Sequence, residues 1–127
     1  MNDSIRSDGL PITVSAHWPR PSVCLVCLAG ELDVATAAPL IEFLRDHTAR
    51  NPAHLVLDLA GVRFLASAGV GVLMSAARNR DGIRGRLHVV GVRDNPAVSH
   101  VLELTGVRRH LDIHESLDRL LADLDRD

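Results

Sequence analysis

The 127-residue sequence contains few aromatic residues, no lysine and no long apolar run. Aromatics make up 2% of the chain, so the core must be built from Leu, Val, Ile and Ala, and sites that stack bases or sugars are disfavoured. All 14 basic residues are arginine, and the formal net charge of -2 argues against direct nucleic-acid binding. Without a bilayer-length apolar segment or a secretory leader pattern, we expect a cytoplasmic protein with no membrane insertion.

The two cysteines, Cys24 and Cys27, have the Cys-x-x-Cys spacing of redox and metal sites. They lie in an apolar segment of strand character, where residues three apart point to opposite faces and cannot share one metal ion. We therefore interpret both as small core thiols. The seven histidines are scattered along the chain, so neither a metal site nor a cofactor is predicted.

Turn-forming residues divide the chain into short apolar segments and longer helical ones. Residues 1–10 are polar and are predicted to be a disordered N-terminal lead-in, and residues 11–127 a single domain. Strands are predicted over 11–16, 22–29, 54–59, 87–90 and 110–113.

Four helices are predicted between and after these strands. The first begins at a cap supplied by Asp33 or Thr36 and runs to about Arg50, with Pro39 in its first turn. The others run from near Ser67 to before Asp81, from a cap at Asp94 with Pro96 in the opening turn to a stop at Gly106, and over a final amphipathic segment carrying Leu117, Leu120, Leu121 and Leu124.

Strands that alternate with helices of about 10–15 residues indicate βαβ units and an α/β fold. We predict a mixed, mostly parallel sheet of four to five strands with about four helices. The helices should lie mainly on one face, because a chain this short cannot easily cover both.

Three spaced segments resemble a known family. They are Gly30-Glu31-Leu32-Asp33 after the second strand, residues 57–73 with Phe64-Leu65-Ala66-Ser67-Ala68-Gly69-Val70 at their centre, and Leu104-Thr105-Gly106-Val107. Their order and spacing over roughly residues 20–125 are similar to STAS domains, and among these to the bacterial anti-anti-sigma factors, or anti-sigma factor antagonists. The resemblance implies the STAS fold.

The resemblance also implies a regulatory phosphoprotein rather than an enzyme. Such a domain binds an anti-sigma factor, a serine kinase of the histidine-kinase-like ATPase type, and so frees a sigma factor for transcription; phosphorylation by the kinase ends the interaction. The acceptor of the family motif falls on Ser67, while Ala66 stands where the family has Asp and Ala68 where it has Ser or Thr. The partner surface implied for this chain comprises Glu31, Asp33, Ala66, Ser67, Ala68, Gly69 and Val70.

The residues around Ser67 suit such a switch on physical grounds. Phe64 and Leu65 are expected to close a buried segment, which places the Ser67 hydroxyl at a helix N-terminus, where free N–H groups and the helix dipole favour a phosphate. Gly69 and Gly71 are expected to let a partner approach the first helical turn. The simpler alternative is that Ser67 and Asp33 are only N-caps. The Gly-x-Ser-x-Gly elbow of a nucleophilic serine is absent.

A second interpretation of the same resemblance is a STAS subunit that binds the ATPase of an ABC transporter complex without a phosphorylation cycle. The altered flanks of Ser67 keep this alternative open. The irregular first strand over 11–16 would also be an exposed edge through which two chains could pair as a homodimer.

Overall fold

The computed structural model describes residues 3–6, 12–80 and 87–126. These residues fold into a twisted sheet with helices on both faces. Within these residues there are six strands, four α-helices and one 3-10 turn at Val107–His110. The strands are β1 (Asp3–Arg6), β2 (Ile12–Arg20), β3 (Val23–Leu32), β4 (His54–Leu65), β5 (Leu87–Val90) and β6 (Leu111–Ile113). The helices are α1 (Val34–Thr48), α2 (Ser67–Arg80), α3 (Pro96–Thr105) and α4 (Leu117–Leu124).

The six strands lie in the order β1-β2-β3-β4-β5-β6. The pairs β1–β2 and β2–β3 are antiparallel, whereas β3 to β6 are parallel and are joined by the helical crossovers that parallel strands require. The predicted α/β fold with a mixed, mostly parallel sheet is therefore confirmed. Asp3–Arg6 form β1 inside the segment predicted to be disordered, and the other residues of that lead-in lie outside the described residues.

Strand β1 contradicts the prediction that the strand over 11–16 is an exposed edge of the sheet. Residues Thr13 to Ala16 of β2 pair with Asp3–Arg6 on one side and with β3 on the other. This part of the first predicted strand is therefore internal, because its outer backbone groups are already paired.

Alternating residues of the strands enter two separate apolar clusters. Leu55, Leu57 and Leu59 of β4 face the larger cluster beneath α1, α2 and α3, while Val56 faces the opposite side of the sheet. There α4 packs Leu117, Leu120, Leu121 and Leu124 on Val23, Leu25, Val56 and Val90. Three helices thus share one face, as predicted, and the short amphipathic α4 covers part of the other.

The cysteines follow the same alternation. Cys24 is fully buried in the larger cluster, and Cys27 is half-buried on the α4 side, so the two thiols lie on opposite faces as predicted. Burial, followed by the charge of the nearby Asp58, raises the pKa of the Cys27 thiol. Both features agree with the interpretation as core thiols.

Helix α1 begins at one of its two predicted caps, whereas the position of Pro39 and the cap of α3 differ from the predictions. Asp33 caps α1, Thr36 completes a capping box at its third residue, and Pro39 lies inside the helix rather than in its first turn. At α3 the N-cap is Asn95, not Asp94, and it makes no side-chain cap bond. The Asn95 amide instead donates to the carbonyls of Leu59 and Val62, both at 2.9 Å, in the part of β4 where the β3–β4 register shifts twice.

No helix within residues 12–80 and 87–126 is both long enough and apolar enough to cross a membrane.

Candidate functional site

The carboxyl ends of β3 and β4 bring the two predicted site segments together. Leu32 pairs with Leu65 at the end of the parallel ladder, and the backbone N–H of Ala66 donates to the Leu32 carbonyl at 2.9 Å. Neighbouring strands lie about 4.8 Å apart, so the chain leaves the sheet for α1 and for α2 at adjacent points of one edge. The segments around Asp33 and Ser67 therefore lie side by side.

Ser67 is the first residue of α2, and its side chain is exposed. The carbonyl of Ala66 accepts the first intrahelical bond, from Val70 N–H at 3.0 Å, so Ala66 occupies the N-cap position. The prediction that Ser67 stands at a helix start is confirmed, but its alternative role as the N-cap is wrong. Because Ala66 has no side-chain oxygen, it cannot accept a bond from the first-turn N–H groups beside the Ser67 hydroxyl.

Asp33 has a structural role in the same region. Its Oδ1 accepts from Ala35 N–H at 3.0 Å and from Thr36 N–H at 3.2 Å, and the Thr36 hydroxyl accepts from Asp33 N–H at 2.9 Å. The Asp33 side chain is thus held by α1 while remaining half-buried at the edge. Glu31, a β3 residue two positions before Asp33, lies 3.8 Å from Arg63 in an exposed ion pair.

One of the two glycines of α2, Gly69, differs from the prediction. Gly69 is buried, and a Cβ there would lie 2.7 Å from Leu32 Cγ and 2.8 Å from the Leu32 carbonyl oxygen. It therefore allows α2 to pack against the ends of β3 and β4, and it does not belong to an exposed surface. Gly71 is exposed with open space around it, whereas Ala68 and Val70 are half-buried.

Two exposed apolar side chains at this edge were missed by the sequence analysis. Val34, the first residue of α1, is 83% exposed, and Phe64, paired with Glu31 in the β3–β4 ladder, is 50% exposed. Strand alternation is the signal for Phe64: Leu65 points inward, so its neighbour points outward, contrary to the expectation that both were buried. We call the region formed by Glu31, Val34, Phe64 and Ser67 the strand-end surface.

The chemistry available at Ser67 is that of an acceptor. In the described part of the chain no hydrogen bond joins the Ser67 hydroxyl to a histidine or a carboxylate, which an activated nucleophile needs. The hydroxyl is accessible, and the N-terminal N–H groups of the 14-residue helix α2 lie beside it. This arrangement suits addition of a phosphate to the hydroxyl by another protein.

Three of the scattered histidines meet on the sheet face that carries α4. Nδ1 of His54 lies 3.3 Å from Nε2 of His88, and Nδ1 of His88 lies 3.0 Å from Nε2 of His114. Both ring nitrogens of His88 thus face different partners, so the three rings cannot bind one metal ion together. No His, Cys, Asp and Glu grouping suited to a metal occurs in residues 12–80 and 87–126. Only the pairing of three neighbouring strands brings these residues together.

Comparison with known proteins identifies similar sequences. A family model described as "Mlab, STAS domain" matches residues 19–121. The anti-sigma-F factor antagonist RsfB of Mycobacterium tuberculosis is 37% identical over 70 residues, and the chain spans 55% of that curated relative. An anti-sigma F factor antagonist of Paenibacillus polymyxa is 29% identical over 105 residues, which cover 81% of this chain and 87% of the relative.

A solved structure is similar over nearly the whole chain. The crystal structure of an anti-sigma factor antagonist from Mycobacterium paratuberculosis superposes with a TM-score of 0.77 at 31% identity, covering 91% of this chain and 95% of that one.

Proposed function

Because the chain belongs to the STAS domain family, whose model matches most of its length, we propose that it is an anti-sigma factor antagonist switched off by phosphorylation of Ser67. Its partner is an anti-sigma factor that is a serine kinase of the histidine-kinase-like ATPase type, and binding releases a sigma factor. The names of the relatives from three bacteria support this class. The observation that carries the proposal is the exposed Ser67 hydroxyl at the first residue of α2, inside the strand-end surface.

The strand-end surface provides the contacts for the partner. Val34 and Phe64 expose apolar side chains at the same sheet edge from which α2 and Ser67 begin, and such side chains supply binding energy when a partner removes them from water. Glu31 and Arg63 form a charged rim. Asp33 contributes by holding the start of α1, because its carboxylate is bound by the capping box.

A phosphate on Ser67 acts differently on the fold and on the complex. It adds about 1.5–2 negative charges next to the N-terminal N–H groups of α2, where the helix dipole stabilises an anion. The same charge joins the carboxylates of Glu31 and Asp33 at this edge, so an apolar or acidic partner is repelled. We therefore propose a small change in the fold and a large loss of affinity.

The first test measures binding of the anti-sigma kinase encoded in the same genome by isothermal titration calorimetry. We expect Ser67→Glu to weaken binding at least tenfold while leaving the circular dichroism spectrum unchanged, since a buried unpaired charge costs more than about 1.4 kcal/mol. The control is Ser22→Glu, which places the same charge on an exposed turn at the opposite end of β3. Equal binding by both variants contradicts the proposed surface.

A second measurement separates the phosphorylation cycle from the binding. Incubation with the kinase and ATP should add one phosphate by intact mass, and Ser67→Ala should add none while still binding the kinase. Phosphate on another residue, or on none, contradicts the proposal that phosphorylation of Ser67 ends the interaction. The proposal that the chain binds the kinase is then tested by the calorimetry alone.

The apolar part of the strand-end surface has its own test. We expect Phe64→Ala to weaken kinase binding about tenfold, because it removes a half-exposed aromatic anchor, with little effect on the free energy of unfolding. The matched control is Leu104→Ala on α3, which removes an apolar side chain that is 73% exposed outside this surface. If Leu104→Ala weakens binding more than Phe64→Ala, the contact surface lies elsewhere.

A further inference from the structure

A cavity of about 270 Å³ lies between the C-terminal halves of α1 and α2. Its apolar wall is formed by Leu44 on α1, Leu55 on β4 and Val72 on α2, all buried, with Ile41 at the exposed rim. Small-molecule sites typically begin at about 300 Å³ and combine an apolar wall with a few converging polar groups. The cavity volume lies just below this range and is larger than a single water needs, so it limits a ligand to a small organic molecule.

The polar part of the cavity is cationic and rich in hydrogen-bond donors. Two arginines, Arg45 and Arg80, are among the residues that line it. The other polar lining residues are Thr48, Ser75, Asn51 and Asn79, and none of the described lining residues is acidic.

The two arginines are held in different ways. Arg80 is 6% exposed, and its Nη2 donates to the carbonyls of Pro52 at 3.1 Å and Ala53 at 2.8 Å, which ties the end of α2 to the segment before β4. Arg45 is exposed on the last turns of α1. One guanidinium is therefore fixed in the wall, and the other is able to move onto a ligand, in the fork geometry that suits carboxylate and phosphate oxygens.

The cavity is separate from the strand-end surface. Ser67 begins α2, whereas Ala76, Asn79 and Arg80 lie in its last turns, about 14–20 Å away at the 1.5 Å rise per residue of a helix. A ligand here would contact the same two helices, α1 and α2, whose N-termini form the strand-end surface, but at their other ends.

We propose that this cavity is a binding site for a small organic anion with an apolar body, a carboxylate or a phosphate monoester. The guanidiniums of Arg45 and Arg80 take the anionic head, and the wall of Leu44, Leu55 and Val72 takes the apolar body. Two guanidiniums at one partly enclosed cavity create a positive potential that concentrates anions, while the apolar wall rejects a fully hydrated ion. The site does not depend on phosphorylation of Ser67 or on the kinase.

The test is a titration of the ¹⁵N-labelled full chain followed by two-dimensional NMR, with four probes. Octanoate and octyl phosphate carry both features, 1-octanol carries only the apolar body, and inorganic phosphate only the charge. We expect saturable shifts of amides around Thr48, Ser75 and Ala76 with octanoate or octyl phosphate. Whichever of these two probes binds more tightly identifies the preferred head group. Its affinity should exceed the affinities of 1-octanol and inorganic phosphate about tenfold.

Variants on the same helices locate the site. Arg45→Gln should weaken binding of the better probe about fivefold, because it removes one charge-assisted contact from an exposed residue. The matched control is Arg78→Gln, an exposed arginine of α2 that does not line the cavity. Ala76→Leu should fill the cavity and abolish binding, and the dispersion of its spectrum reports whether it remains folded.

Several results overturn the proposal. Absence of saturable shifts in α1 and α2 below about 10 mM probe excludes a site of useful affinity. If 1-octanol binds as tightly as the better anionic probe, the site does not recognise the anion. If inorganic phosphate binds as tightly, the apolar wall does not contribute to binding. Equal effects of Arg45→Gln and Arg78→Gln place the ligand outside the cavity. All these measurements are made without the kinase, so their failure is distinct from failure of the proposed function.

Discussion

At the scale of single residues, two glycines of α2 have opposite environments although only one residue separates them. Gly69 packs against Leu32 and Leu65 so closely that a Cβ would overlap side-chain carbons and a backbone oxygen. Gly71 has nothing within 4 Å of the same position. The first glycine is required by the contact between helix and sheet, and the second only lowers the helix propensity of α2.

These environments predict opposite effects on stability. Gly71→Ala should raise the free energy of unfolding by about 0.5–1 kcal/mol, the usual difference in helix propensity. Gly69→Ala has the same propensity gain but must displace the Leu32 backbone, so we expect a net loss of about 1–3 kcal/mol. Urea denaturation of both variants measures the difference, and equal free energies would contradict the packing at Gly69.

At the scale of elements, α1 and α2 leave the same sheet edge with different N-termini. Asp33 and Thr36 form a complete capping box at α1, whereas Ala66 at the N-cap of α2 has no oxygen to offer. The family motif has Asp at the position of Ala66. This sequence therefore lacks a side-chain cap at the helix that carries Ser67.

Restoring the cap should stabilise α2. We expect Ala66→Asp to raise the free energy of unfolding by about 1 kcal/mol, because its carboxylate accepts from first-turn N–H groups and lies at the positive end of the helix. Thermal and urea denaturation measure the change. Ala68→Asp is the control, because it adds the same charge one residue beyond Ser67, inside the helix, where it cannot act as the N-cap; an equal gain from both would show a general charge effect instead of a cap.

Local patterns in the sequence were sufficient for most elements. The alternation of Leu55, Leu57 and Leu59 located β4, the Leu spacing located α4, and Gly106 at a φ of 74° ends α3 as predicted. The N-terminus of α2 at Ser67 was also predicted correctly. These features depend on residues close together in the chain, where periodicity and turn preferences decide the structure.

Features that depend on distant residues were not predicted. The cap of α3 was predicted at Asp94, but Asn95 occupies the N-cap position, and its amide donates to the carbonyls of Leu59 and Val62 on the distant strand β4. Gly69 is buried because α2 packs against Leu32. His54, His88 and His114, which we call the histidine row, meet only because three neighbouring strands pair. Each requires the sheet register, which no local segment of the sequence contains.

At the scale of the whole molecule, the histidine row links folding to pH. His88 is buried between His54 and His114, with Asp112 on the neighbouring strand and Arg80 also acting on it. Burial, followed by the repulsion of the two histidines, lowers the pKa of His88 from 6.5 to about 4, against the opposing effect of Asp112. Between these pH values the unfolded chain binds a proton at His88 that the folded chain does not.

Stability should therefore fall as the pH decreases from about 6.5 to about 4. The unfolded state binds more protons in this window, so the free energy of unfolding rises with pH, and the His88 contribution is on the order of 2 kcal/mol. Urea denaturation at a series of pH values measures the slope. His88→Gln should flatten it, whereas His100→Gln, at an exposed position of α3, should not. The same slope in wild type and His88→Gln would contradict the assignment.

The order of strands in the sheet has a consequence for how the chain is made. Each strand from β2 to β6 pairs with the one that precedes it in the chain, so a strand leaving the ribosome finds its partner already synthesised. Such pairing keeps the sequence separation of contacts low, which favours rapid folding for a protein with a large sheet. All residues of the strand-end surface, from Glu31 to Ser67, precede β5 and β6 in the chain, so they are synthesised before the strands that extend the far edge of the sheet.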